Sequence, residues 1–106
     1  MAKRVMLTLT DCDRGSSWYP WADYTFAVSE NVAKHLQALA TRQDGGMSEG
    51  LGKIEKVKGR WYASWCVDRA DSEPFAHCPG GVYDDLKAAM GEAELTVYVS
   101  EGRGKP

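Results

Sequence analysis

Asp11 and Asp13 stand two residues apart, just after an alternating run of the chain. Paired carboxylates at a strand end can hold a hard cation or move a proton. An Asx-turn that solvates a loop uses the same residues. The soft ligands and nucleophiles are Cys12, Cys66 and Cys78, with His77 beside Cys78. Four such groups would suffice for a tetrahedral zinc site, but closed sites are built from CxxC and HxxxH spacings, and neither is present. Three cysteines without a close pair do not form a disulfide framework. Free thiols acting as small, half-buried apolar side chains are expected. Side chains of neighbouring residues diverge, so His77 and Cys78 do not by themselves make a nucleophile and its base. His35 falls just off an apolar helical stripe, where a histidine with a water or backbone partner is ordinary. The run Gly46–Ile54 (GMSEGLGKI) invites comparison with a phosphate loop. That loop needs a glycine where Met47 stands and a hydroxyl where Ile54 stands, so a glycine-rich connector is expected instead.

Aromatic residues give the more distinctive pattern. Trp18, Tyr19 and Trp21 surround Pro20 in a Gly/Ser-containing segment, with Tyr24 close behind. Loops lie on surfaces, and Trp and Tyr bury much area for few rotatable bonds, which is why they anchor interfaces. The alternative is a lid folded over an open end of the sheet. Trp61 and Trp65 alternate on one strand and are expected in the core. Lys53, Lys56, Lys58 and Arg60 crowd one hairpin; such charges blunt a sheet edge or touch a phosphate backbone.

The 106 residues are 43% hydrophobic and 26% charged, with a formal net charge of −2. That composition suits one soluble globular domain, and the size permits a real core. Residues 1–29 carry three basic and three acidic side chains, residues 30–60 six and four, and residues 61–106 four and eight. A duplex binder concentrates basic charge on one face, and this chain as a whole does not. No apolar run is long enough to span a bilayer, no export signal is visible at the N-terminus, and no internal repeat occurs. A cytoplasmic location is therefore expected, with no membrane partner, no cofactor and no metal.

These residues need elements to position them. Arg4–Thr10 alternates and predicts a half-buried strand. Tyr24–Val28 is a short β-type run that could add a second. Ser29 reads as an N-cap, followed by Val32, Leu36, Leu39 and Ala40 at helical spacing. Ile54–Val57 and Trp61–Val67 flank Lys58-Gly59-Arg60 as a hairpin. Pro74–Cys78 could form a short extra strand, and Pro79-Gly80-Gly81 breaks the chain. Tyr83, Leu86, Met90 and Ala93 predict a second helix with Asp84 and Asp85 in its first turn. Leu95, Val97 and Val99 predict the last strand, and residues 102–106 a frayed tail after a single domain, 1–101.

The expected fold is α+β: an antiparallel sheet of four to five strands with two helices on one face, in the ferredoxin-like βαββαβ order. The second half, a strand meander over 51–78 followed by a helix, resembles the antitoxin subunit of HicAB-type systems. That resemblance implies a β-meander plus helix with an extra N-terminal strand and helix, and an antitoxin-type or nucleic-acid-binding regulator acting through Lys53, Lys56, Lys58 and Arg60. The first expectation for function is a small non-catalytic module that inhibits or adapts a larger protein complex of the host. It would bind through Trp18, Tyr19, Trp21 and Tyr24 with Asp11 and Asp13. In general character this resembles the accessory proteins that phages and prophages make against host machinery, anti-CRISPR inhibitors among them. A small metal-dependent enzyme using Asp11, Asp13, His77 or Cys78 is the third reading. A homodimer is open to the chain, because a sheet with one uncovered face can pair with a copy of itself.

Overall fold

In the computed structural model, residues 3–13, 18–41, 50–68, 78–92 and 94–101 are described. The elements follow as β1 (Lys3–Asp13), β2 (Trp21–Val28), α1 (Glu30–Ala40), β3 (Leu51–Val57), β4 (Arg60–Asp68), α2 (Gly80–Met90) and β5 (Leu95–Glu101). The strands form one mixed sheet in the order β3-β4-β2-β1-β5. The α+β class and the two helices agree with the sequence; the all-antiparallel sheet does not. β5 runs parallel to β1, from Lys3 beside Leu95 to Leu9 beside Glu101. The ferredoxin-like order is lost because Trp21–Val28 is a full strand lying between the first strand and the first helix. A meander of the HicB kind meets a different obstacle. β4 already has β3 on one side and β2 on the other, so no edge is left beside it for a third strand. The candidate strand at 74–78 falls outside the described residues except for Cys78, which is not in a strand. The tail 102–106 also lies outside them.

Both helices cover the same face, for a topological reason. β2→α1→β3 and β4→α2→β5 each join strands of like direction, but the two units run opposite ways and step to opposite sides of the sheet. A right-handed connection in each then places both helices on one side. Strand alternation supplies what they cover. Val5, Leu7 and Leu9 of β1, Ala22, Tyr24 and Phe26 of β2, and Ala63, Trp65 and Val67 of β4 join Val32 and Leu36 of α1 and Val82 and Leu86 of α2 in one hydrophobic cluster.

Local signals set the boundaries. Ser29 caps α1 by accepting a hydrogen bond from the Val32 amide at 3.2 Å. α2 starts at Gly80, with Pro79 as N-cap, earlier than the apolar spacing predicts. The glycines that read as a break are its first turn, so Asp84 and Asp85 sit one turn further in and do not serve the helix dipole. Gly91 ends α2 at φ 64°, a left-handed conformation that glycine adopts without steric cost. The β3–β4 turn is tight, with Lys58 at φ 51° and Gly59 at φ 81°, the double positive φ of a two-residue hairpin.

Candidate functional site

Among the described residues, no element covers the sheet face away from the helices. That face carries Arg4, Met6, Thr8, Asp11 and Asp13 of β1, Trp21, Asp23, Thr25 and Ala27 of β2, and Arg60, Tyr62, Ser64, Cys66 and Asp68 of β4. That follows from the pairing registers and the alternation of burial along each strand. The register places the acidic members together. Asp13 is opposite Asp23, Asp23 opposite Cys66, and Trp21 opposite Asp68. Two carboxylates directly across a strand pair repel one another, so their shared end of the face favours a cationic surface.

β1 runs to Asp13, three residues past the predicted end, so Asp11 and Asp13 are strand residues rather than loop residues. A bulge after Leu9 brings Asp11 opposite Thr25. The bulged Thr10 donates its hydroxyl to the Thr25 carbonyl at 3.1 Å. The bulge keeps Asp11 and Asp13 on the uncovered face while Cys12 turns to the core side. Thr25 Oγ1 and Ser64 Oγ lie 3.1 Å apart at the middle of the face.

The predicted aromatic group divides. Trp18 is 80% exposed, Trp21 43% and Tyr19 39%. The Trp18 and Tyr19 rings meet edge to face with centroids 5.9 Å apart, so this segment is not a lid over the sheet. Tyr24 does not join them. It is 1% exposed on the opposite face, edge to face with Phe26 at 5.9 Å. Of the two tryptophans expected in the core, Trp65 is there, whereas Trp61 is half-buried at the start of β4 and outside the hydrophobic cluster.

Alternation also disperses the basic cluster. Lys53 and Arg60 belong to the uncovered side and Lys56 to the other, while Lys58 is in the turn. Lys53 meets Glu55 at 3.6 Å, and the Lys56 ammonium lies 5.8 Å from the Trp61 ring centroid. The four charges do not line one groove. At the end of the sheet away from the aspartates, where β2 passes into α1 beside the β3–β4 turn, lies a hollow of about 400 Å³. It is lined by Met6, Thr8, Ala27, Val28, Arg60 and Trp61, among others. The Trp61 indole nitrogen is buried without a hydrogen-bond partner.

The groups expected to do chemistry are held quiet. All three cysteines are free. Loss of hydration, a hydrogen bond to Asp23 and the charge of that carboxylate push the Cys66 thiol up. Burial pushes Cys78 up to about 12. Both stay protonated at neutral pH, and the thiol is the poor nucleophile. Neighbouring turns of α1 bring His35 Nδ1 to 2.8 Å from the Asn31 carbonyl oxygen. His77 lies outside the described residues. Among the described residues, no group of three or more His, Cys, Asp or Glu is placed to hold a metal ion, and no helix is long and apolar enough to cross a membrane.

Sequence reasoning missed three aspartates. Asp23 and Asp68 complete the acidic end, and they would have shown had β2 been extended to Trp21 and β4 to Asp68. Asp85 is 1% exposed and accepts a hydrogen bond from Trp65 Nε1 at 2.9 Å, tying α2 to the middle of the sheet. Its place three residues after Val82, on the apolar side of α2, was the available signal. No family model matches the chain, and no curated protein or solved structure matches it either.

Proposed function

We propose that this chain is a small non-catalytic protein-binding module that inhibits or adapts a larger macromolecular partner. Its contact surface is the segment Trp18-Tyr19-Pro20-Trp21 together with Asp11, Asp13 and Asp23. The observation that carries this reading is the exposure of Trp18, 80%, next to two further half-wet aromatics and a carboxylate row. An indole left in water beside negative charge suits a partner with an apolar pocket rimmed by Lys or Arg. A counter-defence protein acting on a host complex is one specific form of this function. The regulator reading through Lys53, Lys56, Lys58 and Arg60 has less support, since those side chains point to both sides of the hairpin.

The test is affinity capture from the native host with wild-type protein and with Trp18→Ala, followed by titration of the captured partner. A central Trp anchor is worth about 2–4 kcal/mol, so the variant should bind roughly 30-fold or more weakly, with unchanged folding. A defined partner that holds both proteins equally well would remove the aromatic segment as the anchor.

A further inference from the structure

The two edges of the sheet are finished differently. β3 closes one side with Lys53, Glu55 and Lys56, and a register shift interrupts it after Leu51. Charges and bulges of this kind keep an edge from pairing with another chain. β5 closes the other side and has neither. Residues 95–100 (LTVYVS) contain no charge, proline or glycine, and the ladder with β1 runs unbroken from Lys3 beside Leu95 to Leu9 beside Glu101. The Lys3 amide donates to the Glu94 carbonyl at 3.2 Å, which fixes the alternation along β5. The backbone groups of residues 94, 96, 98 and 100 turn to β1, and those of 95, 97 and 99 turn outward. The Tyr83 hydroxyl donates to the outward Leu95 carbonyl at 3.4 Å. Among the described residues, the N–H and C=O of Val97 and Val99 have no strand beside them.

We propose that this edge joins a second copy of the chain, β5 pairing antiparallel with its counterpart about a two-fold axis perpendicular to the sheet beside Tyr98. A half-turn about the sheet normal reverses strand direction in the plane and leaves the helices of both copies on the same face. Two five-stranded sheets thus become one of ten strands. Tyr98 is the middle residue of Leu95–Glu101, so an axis at Tyr98 overlaps the whole strand. Val97 then stands opposite the second copy's Val99. Both turn their backbone groups outward, as a hydrogen-bonded antiparallel pair requires. Tyr98 stands opposite itself and Thr96 opposite Ser100, in the non-hydrogen-bonded positions where side chains come closest.

The strand's own residues select this occupant. In that register valine meets valine on the helix side, while hydroxyl meets hydroxyl and tyrosine meets tyrosine on the outer side. No charge between 95 and 100 is brought against its like. Cross-strand pairs of these types stabilise a sheet. Val97 and Val99 are only partly buried against the core, and the joint covers their open side. Tyr98, 43% exposed, lies beside Met6, 54% exposed. Across the axis the two copies bring these side chains into one apolar row with the tyrosines at its centre. A one-strand joint is smaller than the standard interface of about 800 Å² per partner. The expected dissociation constant is therefore micromolar, on the order of 10 µM. This joint goes beyond the partner-binding reading and uses none of its residues, so either can fail without the other.

Sedimentation equilibrium of the full chain tests the joint, with Tyr98→Lys and Tyr98→Glu beside wild type. A charge placed on the axis meets its own copy. Each variant should raise the dissociation constant at least about tenfold, and an equimolar mixture of the two should return to within roughly threefold of wild type. Oxidative cross-linking reads the register, with wild type, whose described cysteines are free, as background. A non-hydrogen-bonded antiparallel pair brings Cα atoms to about 4.5 Å, within disulfide reach, so Tyr98→Cys should give a covalent dimer. Thr96→Cys should not, since the two copies of position 96 stand four residue steps, about 14 Å, apart along the strands. Trp18→Ala should leave the dimer unchanged. Both substituted positions point to the outer face, and far-UV circular dichroism checks folding; if the charged variants do not fold, the two cysteine variants decide. A wild-type protein that is monomeric at about 100 µM overturns the proposal. So does a dimer indifferent to Tyr98→Lys and Tyr98→Glu, cross-linking through position 96 rather than 98, or a β5 edge that pairs with a strand of a different protein instead.

Discussion

Two pairs of tryptophans live by different rules in this molecule. Trp61 and Trp65 alternate along a strand beneath two helices, and Trp65 is sealed and hydrogen-bonded to Asp85. Trp18 and Trp21 lie where β2 begins, and both face water. The residue type is the same, so its environment follows from which side of a strand it stands on and whether a helix covers that side. Apolar area buried against a helix stabilises the fold by roughly 25 cal/mol per Å². The same area left wet stabilises nothing until another molecule arrives.

The largest break in this comparison should come from truncating a member of each pair. Trp65→Ala is expected to cost about 3–5 kcal/mol of folding stability, whereas Trp18→Ala should stay within about 0.5 kcal/mol. Urea unfolding of the two variants reads the difference, and equal losses would mean that Trp18 packs inward in solution. Next comes the tie between sheet and helix. Asp85→Ala leaves the Trp65 N–H buried without this acceptor and should cost about 1–3 kcal/mol. A cycle with Trp65→Phe should recover part of that loss, and strict additivity would deny the coupling.

The smallest effect concerns Cys78. Its thiol is raised from the ordinary 9.0 to about 12 in the folded state. The folded protein therefore holds a proton that the unfolded chain gives up. The stabilisation is fully present below pH 9 and is lost as pH climbs from there toward about 12. Cys78→Ala should flatten this alkaline decline in a pH series of unfolding midpoints, and an unchanged slope would assign the decline to other groups.

Much of the scaffold was legible. The Ser29 cap, the Val32/Leu36/Leu39 stripe, the Lys58-Gly59 turn and the alternation of Trp61 to Val67 are short-range patterns with short-range causes. Three features were hidden because their causes are distant in the chain. β2 begins at Trp21, but Trp21 and Asp23 are outward-facing residues without an apolar signature, and pairing with β1 and β4 is what makes them a strand. The parallel contact of β1 with β5 leaves no mark on either segment. Asp85 looked like one of a surface pair until α2 began three residues earlier than its apolar spacing predicts. The acidic end shared this fate, since Asp13, Asp23 and Asp68 become neighbours only through register. The exposure of Trp18 was not legible either, because a proline and polar residues around a large aromatic mark a loop, and an outward loop and a lid over the sheet end share that composition.

The pairing of β1 with β5 has a consequence for how the protein is made. Thr8 and Ser100 meet across 92 positions of sequence, so the sheet cannot be completed until residues 95–101 have been synthesised. During translation β1 has an empty ladder on one side, and its apolar Val5, Leu7 and Leu9 wait for the covering that α2 brings. Assembly dominated by such distant contacts is slow. The nascent chain is thus most vulnerable to mispairing with another chain along β1, in the interval before its last strand is released.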